Sequence, residues 1–138
     1  MQPKLIKGGN HKDERGEIQF NNEFNAAAVK RIYTIENADT STVRAWQGHA
    51  IETRWFAVLQ GSFQIKLIQI DNWEQPNPQS KMRTFELNDQ GLHILYVPPG
   101  FISSIQALEQ GSKLLAMSDY QLGEVKDEYR FDKNYFTS

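Results

Sequence analysis

Short apolar runs rich in Ile, Val, Leu, Phe and Tyr recur along the chain, separated by turn residues about every eight to fifteen positions. This is the pattern of a sandwich or barrel of short strands. Strands are expected near residues 17–20, 30–36, 42–49, 54–60, 62–70, 81–87, 93–98, 102–108 and 113–120. The turns "QGS" at 60–62 and "EQGS" at 109–112 lie between apolar runs and read as hairpins, because Gly supplies the positive φ a tight turn needs. The stretch "NWEQPNPQSK" (72–81), with two prolines and several amides, reads as a loop. Only "EFNAAAV" (23–29) and the tail after Tyr120 are candidates for short helices. Nine strands with no linker, repeat or low-complexity tract predict one all-β domain over 1–138, a double-sheet jelly roll with its core at about 15–120 and a tail at 121–138.

In such a fold alternate side chains of each strand point inward, and the space between the sheets is where a ligand is kept. Gln47 and His49, two residues apart, share a face, as do Arg31 with Tyr33 and Glu52 with Arg54. A bulge would shift that parity.

Composition narrows the function classes. A chain of 138 residues buries roughly 68% of its unfolded surface and can carry a real core. The net charge of −2 gives no electrostatic reason to expect a nucleic-acid or membrane partner. Absence of cysteine removes disulfides, thiolate nucleophiles and zinc–thiolate sites. The opening residues lack an apolar segment of signal type and no apolar run approaches a membrane span, so a cytoplasmic protein is expected.

The run "RGEI…VKRIYTIE…VRAWQGH…VLQGSFQIKLIQID…YVPPGF…SDY…DEYRFDKNYF" resembles the cupin-fold dTDP-sugar isomerases, namely the dTDP-4-dehydrorhamnose 3,5-epimerases and the dTDP-4-keto-6-deoxyhexose 3,4-ketoisomerases, from about Arg15 to Phe136. The resemblance implies an RmlC-like cupin, a double-stranded β-helix, that acts on a nucleotide sugar without a cofactor and pairs as a homodimer through its N-terminal strands. The family's Arg-Gly-x-His-Ala-His strand falls with its arginine on Arg44, its first His on Gln47 and its second on His49. Its first His, the expected base, is thus a glutamine. Arg54 takes the place of a strand cation, Lys30, Arg31 and Tyr33 match Lys-Arg-x-Tyr, and Asp119 with Tyr120 matches the late acid–tyrosine pair. Arg130 falls on the arginine of the terminal motif. Metal-binding cupins need two His, a Glu and a late His; Gln47, Arg54 and Ser103 occupy three of those places, so no metal is expected.

Isomerising a 4-keto sugar requires a base at the carbon beside the ketone, a cation or donor for the enolate oxygen, and an acid. His49 is the candidate base, Arg54 or Arg44 the enolate holder, and Tyr120 or Tyr33 the acid. Arg31, Arg44 and Arg54 are candidates for a pyrophosphate, and Gln47, Glu52 and Asp119 for other substrate contacts. For any one arginine a surface ion pair is an equal reading, and His49 alone also reads as a polar strand residue. Trp46, Trp55, Phe56 and Tyr96 are more simply core than stacking partners. His11, His93 and the acidic "GEVKDEY" (123–129) read as non-functional, the last as a solvated face. Two alternatives stay open: a sugar-binding cupin that lost its base at Gln47, and a structural module whose pocket is filled.

Overall fold

The computed structural model describes residues 1–137. Twelve strands form: β1 (Lys4–Ile6), β2 (Gly9–Asp13), β3 (Gly16–Phe20), β4 (Arg31–Ile35), β5 (Val43–His49), β6 (Arg54–Gln60), β7 (Ser62–Gln69), β8 (Met82–Asn88), β9 (Ile94–Val97), β10 (Phe101–Ala107), β11 (Lys113–Ser118) and β12 (Tyr129–Arg130). One antiparallel sheet has the order β1-β9-β6-β11-β4 and faces a second of order β12-β5-β10-β7-β8, while β2 and β3 form a separate hairpin. The result is the expected all-β jelly roll of cupin type.

The main core lies between the sheets, where Phe63, Ile65 and Leu67 from β7 meet Phe56, Val58, Leu95 and Leu114 from the other sheet. Their alternation along β7 with half-exposed Gln64 and Lys66 shows why period 2 located this strand. Two satellite clusters cover the outer faces. Phe24 and Val29 pack on Trp55 and Met117, and Phe131, Tyr135 and Phe136 pack on Trp46 and Ile102. Of the four aromatics read as core, Trp46, Trp55 and Phe56 are buried and Tyr96 is partly buried against Trp55.

The differences from the sequence expectation have local causes. Strands β1, β2 and β12 were not expected; they are short, and "GNHKD" carries no apolar alternation. Residues 23–29 contain one 3₁₀ turn, Ala26–Ala28, capped by the Asn25 side chain, while the tail after Tyr120 forms turns and β12 instead of a helix. The Gly61 and Gly111 turns have positive φ (79° and 81°), but each joins strands of opposite sheets and neither is a hairpin. Tight-turn chemistry is the same for both connections; the pairing partner is set by the rest of the sheet. At Gly61 a Cβ would lie 2.1 Å from Ser112 Oγ, which also accepts from Ser62 N, so the corner needs a glycine on two counts.

One irregularity positions the site. Between β5 and β10 the register runs Gln47 to Ser103, then Arg44 to Ile105, so β5 has one extra residue across from β10. The bulge turns Arg44, three residues before Gln47, to the same cavity as Gln47 and His49. Gly48 lies in this stretch against β10, where a Cβ would meet Phe101 O at 2.2 Å and Ile102 Cα at 2.5 Å.

Candidate active site

A cavity of about 440 Å³ opens between the sheets. Arg31 and Tyr33 reach it from β4, Arg44, Gln47 and His49 from β5, and Arg54 from β6. Phe56, Val97, Phe101 and Ile105 supply its apolar wall. Six candidates thus meet here: strand parity pairs Arg31 with Tyr33 and Gln47 with His49, and the β5 bulge adds Arg44. Glu52 lines an adjoining recess that also touches Arg31, His49 and Arg54. Asp119 and Tyr120 do not line the cavity: Asp119 Oδ1 accepts from Thr53 N at 2.9 Å, and the Tyr120 ring lies 5.9 Å from Lys30 Nζ.

His49 is only 8% exposed, and its Nδ1 lies 2.9 Å from the carbonyl oxygen of Asp127. A carbonyl only accepts, so Nδ1 carries the proton and the neutral ring presents a lone pair at Nε2. Every fully buried side-chain nitrogen or oxygen among the described residues has a partner. Nε2, which has none, is therefore open to solvent. Burial lowers the His49 pKa below its ordinary 6.5, the Arg54 charge lowers it further, and Glu52 and Asp127 only partly oppose them. A neutral imidazole with a free lone pair at neutral pH is the form a general base requires.

Arg54 is 7% exposed and held on three sides. Its Nη1 donates to Glu52 Oε1 at 2.7 Å and to Ser118 Oγ at 2.8 Å, and its Nε donates to the Tyr33 hydroxyl at 3.3 Å. Ser118 Oγ in turn donates to Glu52 Oε1 at 2.9 Å. Burial raises the Glu52 carboxyl, but hydrogen bonds from Arg54 and Ser118 and the positive charge of Arg54 outweigh it and hold Glu52 below its ordinary value. Arg31 stacks on the Tyr33 ring with its guanidinium carbon 4.5 Å from the centroid. Arg44 donates from Nε to Asn37 Oδ1 at 2.8 Å, and buried Asn37 is fixed by bonds to the carbonyls of Thr42 and Ile105.

Sequence reasoning missed the residue that orients His49. Asp127, expected on a solvated face, is 3% exposed and accepts from Ala50 N, Ile51 N and Glu52 N at 2.9, 2.8 and 2.7 Å. It caps the loop between β5 and β6 while its own carbonyl holds His49. Nothing in "KDEY" separates this aspartate from its exposed neighbours, because the partners are more than 70 residues away. Ligand atoms of His49, Glu52 and Asp127 lie within 4.8 Å of one another, the spacing of a cation site. Both Asp127 oxygens are engaged by backbone N–H groups and Glu52 by Arg54, a donor set built to satisfy carboxylates without a dication. His93 Nδ1 accepts from Gly8 N at 3.0 Å and His11 sits 3.6 Å from Asp13 on the hairpin, both outside the cavity.

A jelly roll with a polar cavity between its sheets, lined by a histidine and three arginines, has the architecture of a cupin. The chain belongs to the "FdtA: WxcM-like, C-terminal" family, whose description matches residues 1–138. No curated protein matches it as a relative. Among solved structures it is similar to a histidine-to-asparagine mutant of the 3,4-ketoisomerase QdtA from Thermoanaerobacterium thermosaccharolyticum in complex with TDP-4-keto-6-deoxyglucose (24% identity, 97% of this chain and 91% of that one, TM-score 0.72). It is also similar to the WlaRB TDP-quinovose 3,4-ketoisomerase from Campylobacter jejuni (21%, 96% and 95%, TM-score 0.67). The Mycobacterium tuberculosis rmlC epimerase superposes with a TM-score of 0.75 at 16% identity, over 99% of this chain and 73% of that one.

Proposed function

We propose that the protein binds a TDP-linked 4-keto-6-deoxy sugar and moves a proton at the carbon beside the ketone, as a ketoisomerase or epimerase. The supporting observation is His49, whose Nδ1 proton is tied to Asp127, whose Nε2 has no partner, and which lines a cavity together with Arg54. Nε2 takes the proton from the carbon next to the carbonyl, the C–H electron pair moves into the C–C bond, and the carbonyl π pair passes to oxygen. Arg54 holds the resulting enolate oxygen. Tyr33, which lines the cavity beside Arg54, is the acid in preference to Tyr120. For the ketone to move, the enolate oxygen takes up a proton and the hydroxyl on the first carbon gives its proton up. The new oxygen pair forms the C=O as the C=C pair takes a proton at the former carbonyl carbon. Return of the proton to the opposite face of the first carbon instead inverts it. Arg44 and Arg31 take the diphosphate, with Asn37 aiming Arg44.

Deuterium wash-in from D₂O into TDP-4-keto-6-deoxyglucose, followed by NMR across the acid-to-neutral range, tests this reading. Because His49 acts neutral and its pKa lies below 6.5, exchange is expected to stay flat near neutrality and to fall on the acid side of 6.5. Tight TDP-sugar binding with no exchange at any pH would leave the protein a binding cupin that lost its base at Gln47.

The reading includes a homodimer in a cytoplasmic setting. Ile18 on β3 and Ile32 on β4, 63% and 65% exposed, offer apolar surface for it. Sedimentation as a monomer at micromolar concentration would count against the dimer. No helix among the described residues is long and apolar enough to cross a membrane.

A further inference from the structure

Gln47 stands where the family motif has its first histidine, and the structure gives its amide a definite orientation. Its Nε2 donates to Glu128 Oε1 at 2.6 Å. A carboxylate at neutral pH only accepts, so the NH₂ end must face Glu128 and the carbonyl end, Oε1, has no partner among the described residues. Gln47 is exposed and lines the cavity beside His49, as does Glu128.

Glu128 is itself placed from both sides. On one side Asp127 is buried and bonded to three backbone N–H groups of the β5–β6 loop. On the other, β12 pairs with β5 with Tyr129 opposite Gly48 and Arg130 opposite Gln47, and Phe131 and Trp46 exchange both backbone bonds at 2.9 and 3.0 Å. Arg130 Nε reaches the second oxygen, Oε2, at 3.2 Å. A residue bracketed in this way has little freedom of backbone, and its carboxylate is presented to the Gln47 amide.

We infer that Glu128 is a positioning residue which locks the Gln47 amide so that its carbonyl accepts a hydrogen bond from a sugar hydroxyl, and that this contact selects substrates carrying a hydroxyl on the carbon next to the reacting one. This rests on the proposed nucleotide-sugar reading. Gln47 lies two residues from His49 on the same face, about 6.6 Å along the strand. With His49 at a carbon-bound proton, the Gln47 side chain on the same cavity wall reaches toward a hydroxyl of the same ring. An amide cannot take a proton from carbon, but a fixed carbonyl can distinguish a hydroxyl from a hydrogen. Selectivity of this kind arises because a bound sugar displaces the water at the Gln47 carbonyl, and the deoxy analogue then leaves that acceptor unpaired.

The test compares kcat/KM for TDP-4-keto-6-deoxyglucose with that for its 2-deoxy analogue, alongside Kd for TDP, in wild type, Glu128→Leu, Glu128→Gln and Gln47→Leu. Wild type is expected to prefer the hydroxylated sugar by about 10-fold, the size of one hydrogen bond. Glu128→Leu and Gln47→Leu should each bring the ratio close to unity with the TDP affinity unchanged. Glu128→Gln, whose amide oxygen still accepts from Gln47, should restore it. A ratio unaffected by Glu128→Leu, or lost equally in Glu128→Gln, overturns the inference while turnover of the hydroxylated sugar keeps the functional reading standing. Wild type that binds TDP but neither binds nor exchanges either sugar overturns the functional reading and this one with it.

Discussion

His49→Ala is expected to slow deuterium exchange into TDP-4-keto-6-deoxyglucose by about 10²–10⁴-fold, the range a positioned general base supplies. The effect should fall on kcat, with the affinity for TDP changed little, because the candidate diphosphate groups Arg31 and Arg44 lie on other parts of the cavity wall. The ring is held by one bond, from Nδ1 to the Asp127 carbonyl, so His49→Asn should keep the fold and still lose the exchange. Gln47→His is the informative contrast. Exchange absent in wild type but gained in Gln47→His would assign wild type to ligand binding, whereas exchange present in wild type and lost in His49→Ala assigns the base to His49. Loss of the ring also removes a pH dependence of stability. The folded pKa of His49 is lowered, so above 6.5 neither state binds the proton and the group contributes nothing. As pH falls below 6.5 the unfolded chain takes the proton first, and wild type loses stability relative to His49→Ala until pH passes the folded value.

Arg54→Met is expected to damage both fold and chemistry. It leaves the Glu52 carboxylate, whose side chain is 11% exposed, beside Ser118 with its cation gone. Breaking one member of such a buried pair costs about 3–5 kcal/mol, which for a chain of this size lowers Tm by roughly 10–20 °C. The double variant Arg54→Met with Glu52→Gln should recover much of that loss, since the orphaned charge is removed as well. Activity should not recover. In the proposed mechanism the enolate oxygen would still lack its cation, a deficit of about 10²–10³ in kcat. Thermal unfolding and wash-in rates on the same three proteins separate the two effects. Equal stability in the single and double variants would show that the Glu52–Arg54 pair is not the stabilising unit.

Much of this architecture is written in local patterns. The alternation in "SFQIKLIQ" gives β7, its inward face and its register against the core, because a period of two leaves no other face to bury. The same periodicity puts Gln47 with His49 and Arg31 with Tyr33, and the cavity contains all four. Family resemblance adds the chemistry at His49 and Arg54, but only as residue types at matched positions. What the sequence could not determine are relations between distant residues. The Gly61 and Gly111 turns cross between sheets because their flanking strands find partners elsewhere, not because of anything in the turns. The bulge on β5 that brings Arg44 into line with Gln47 depends on β10, some 60 residues on. Asp127 and Glu128 look like their charged neighbours in sequence, yet one is buried under three backbone N–H groups and the other is set against Gln47. Burial and hydrogen-bond partnership are properties of where the tail docks on β5. Only tertiary packing decides that, and with it which nitrogen of His49 keeps a free lone pair.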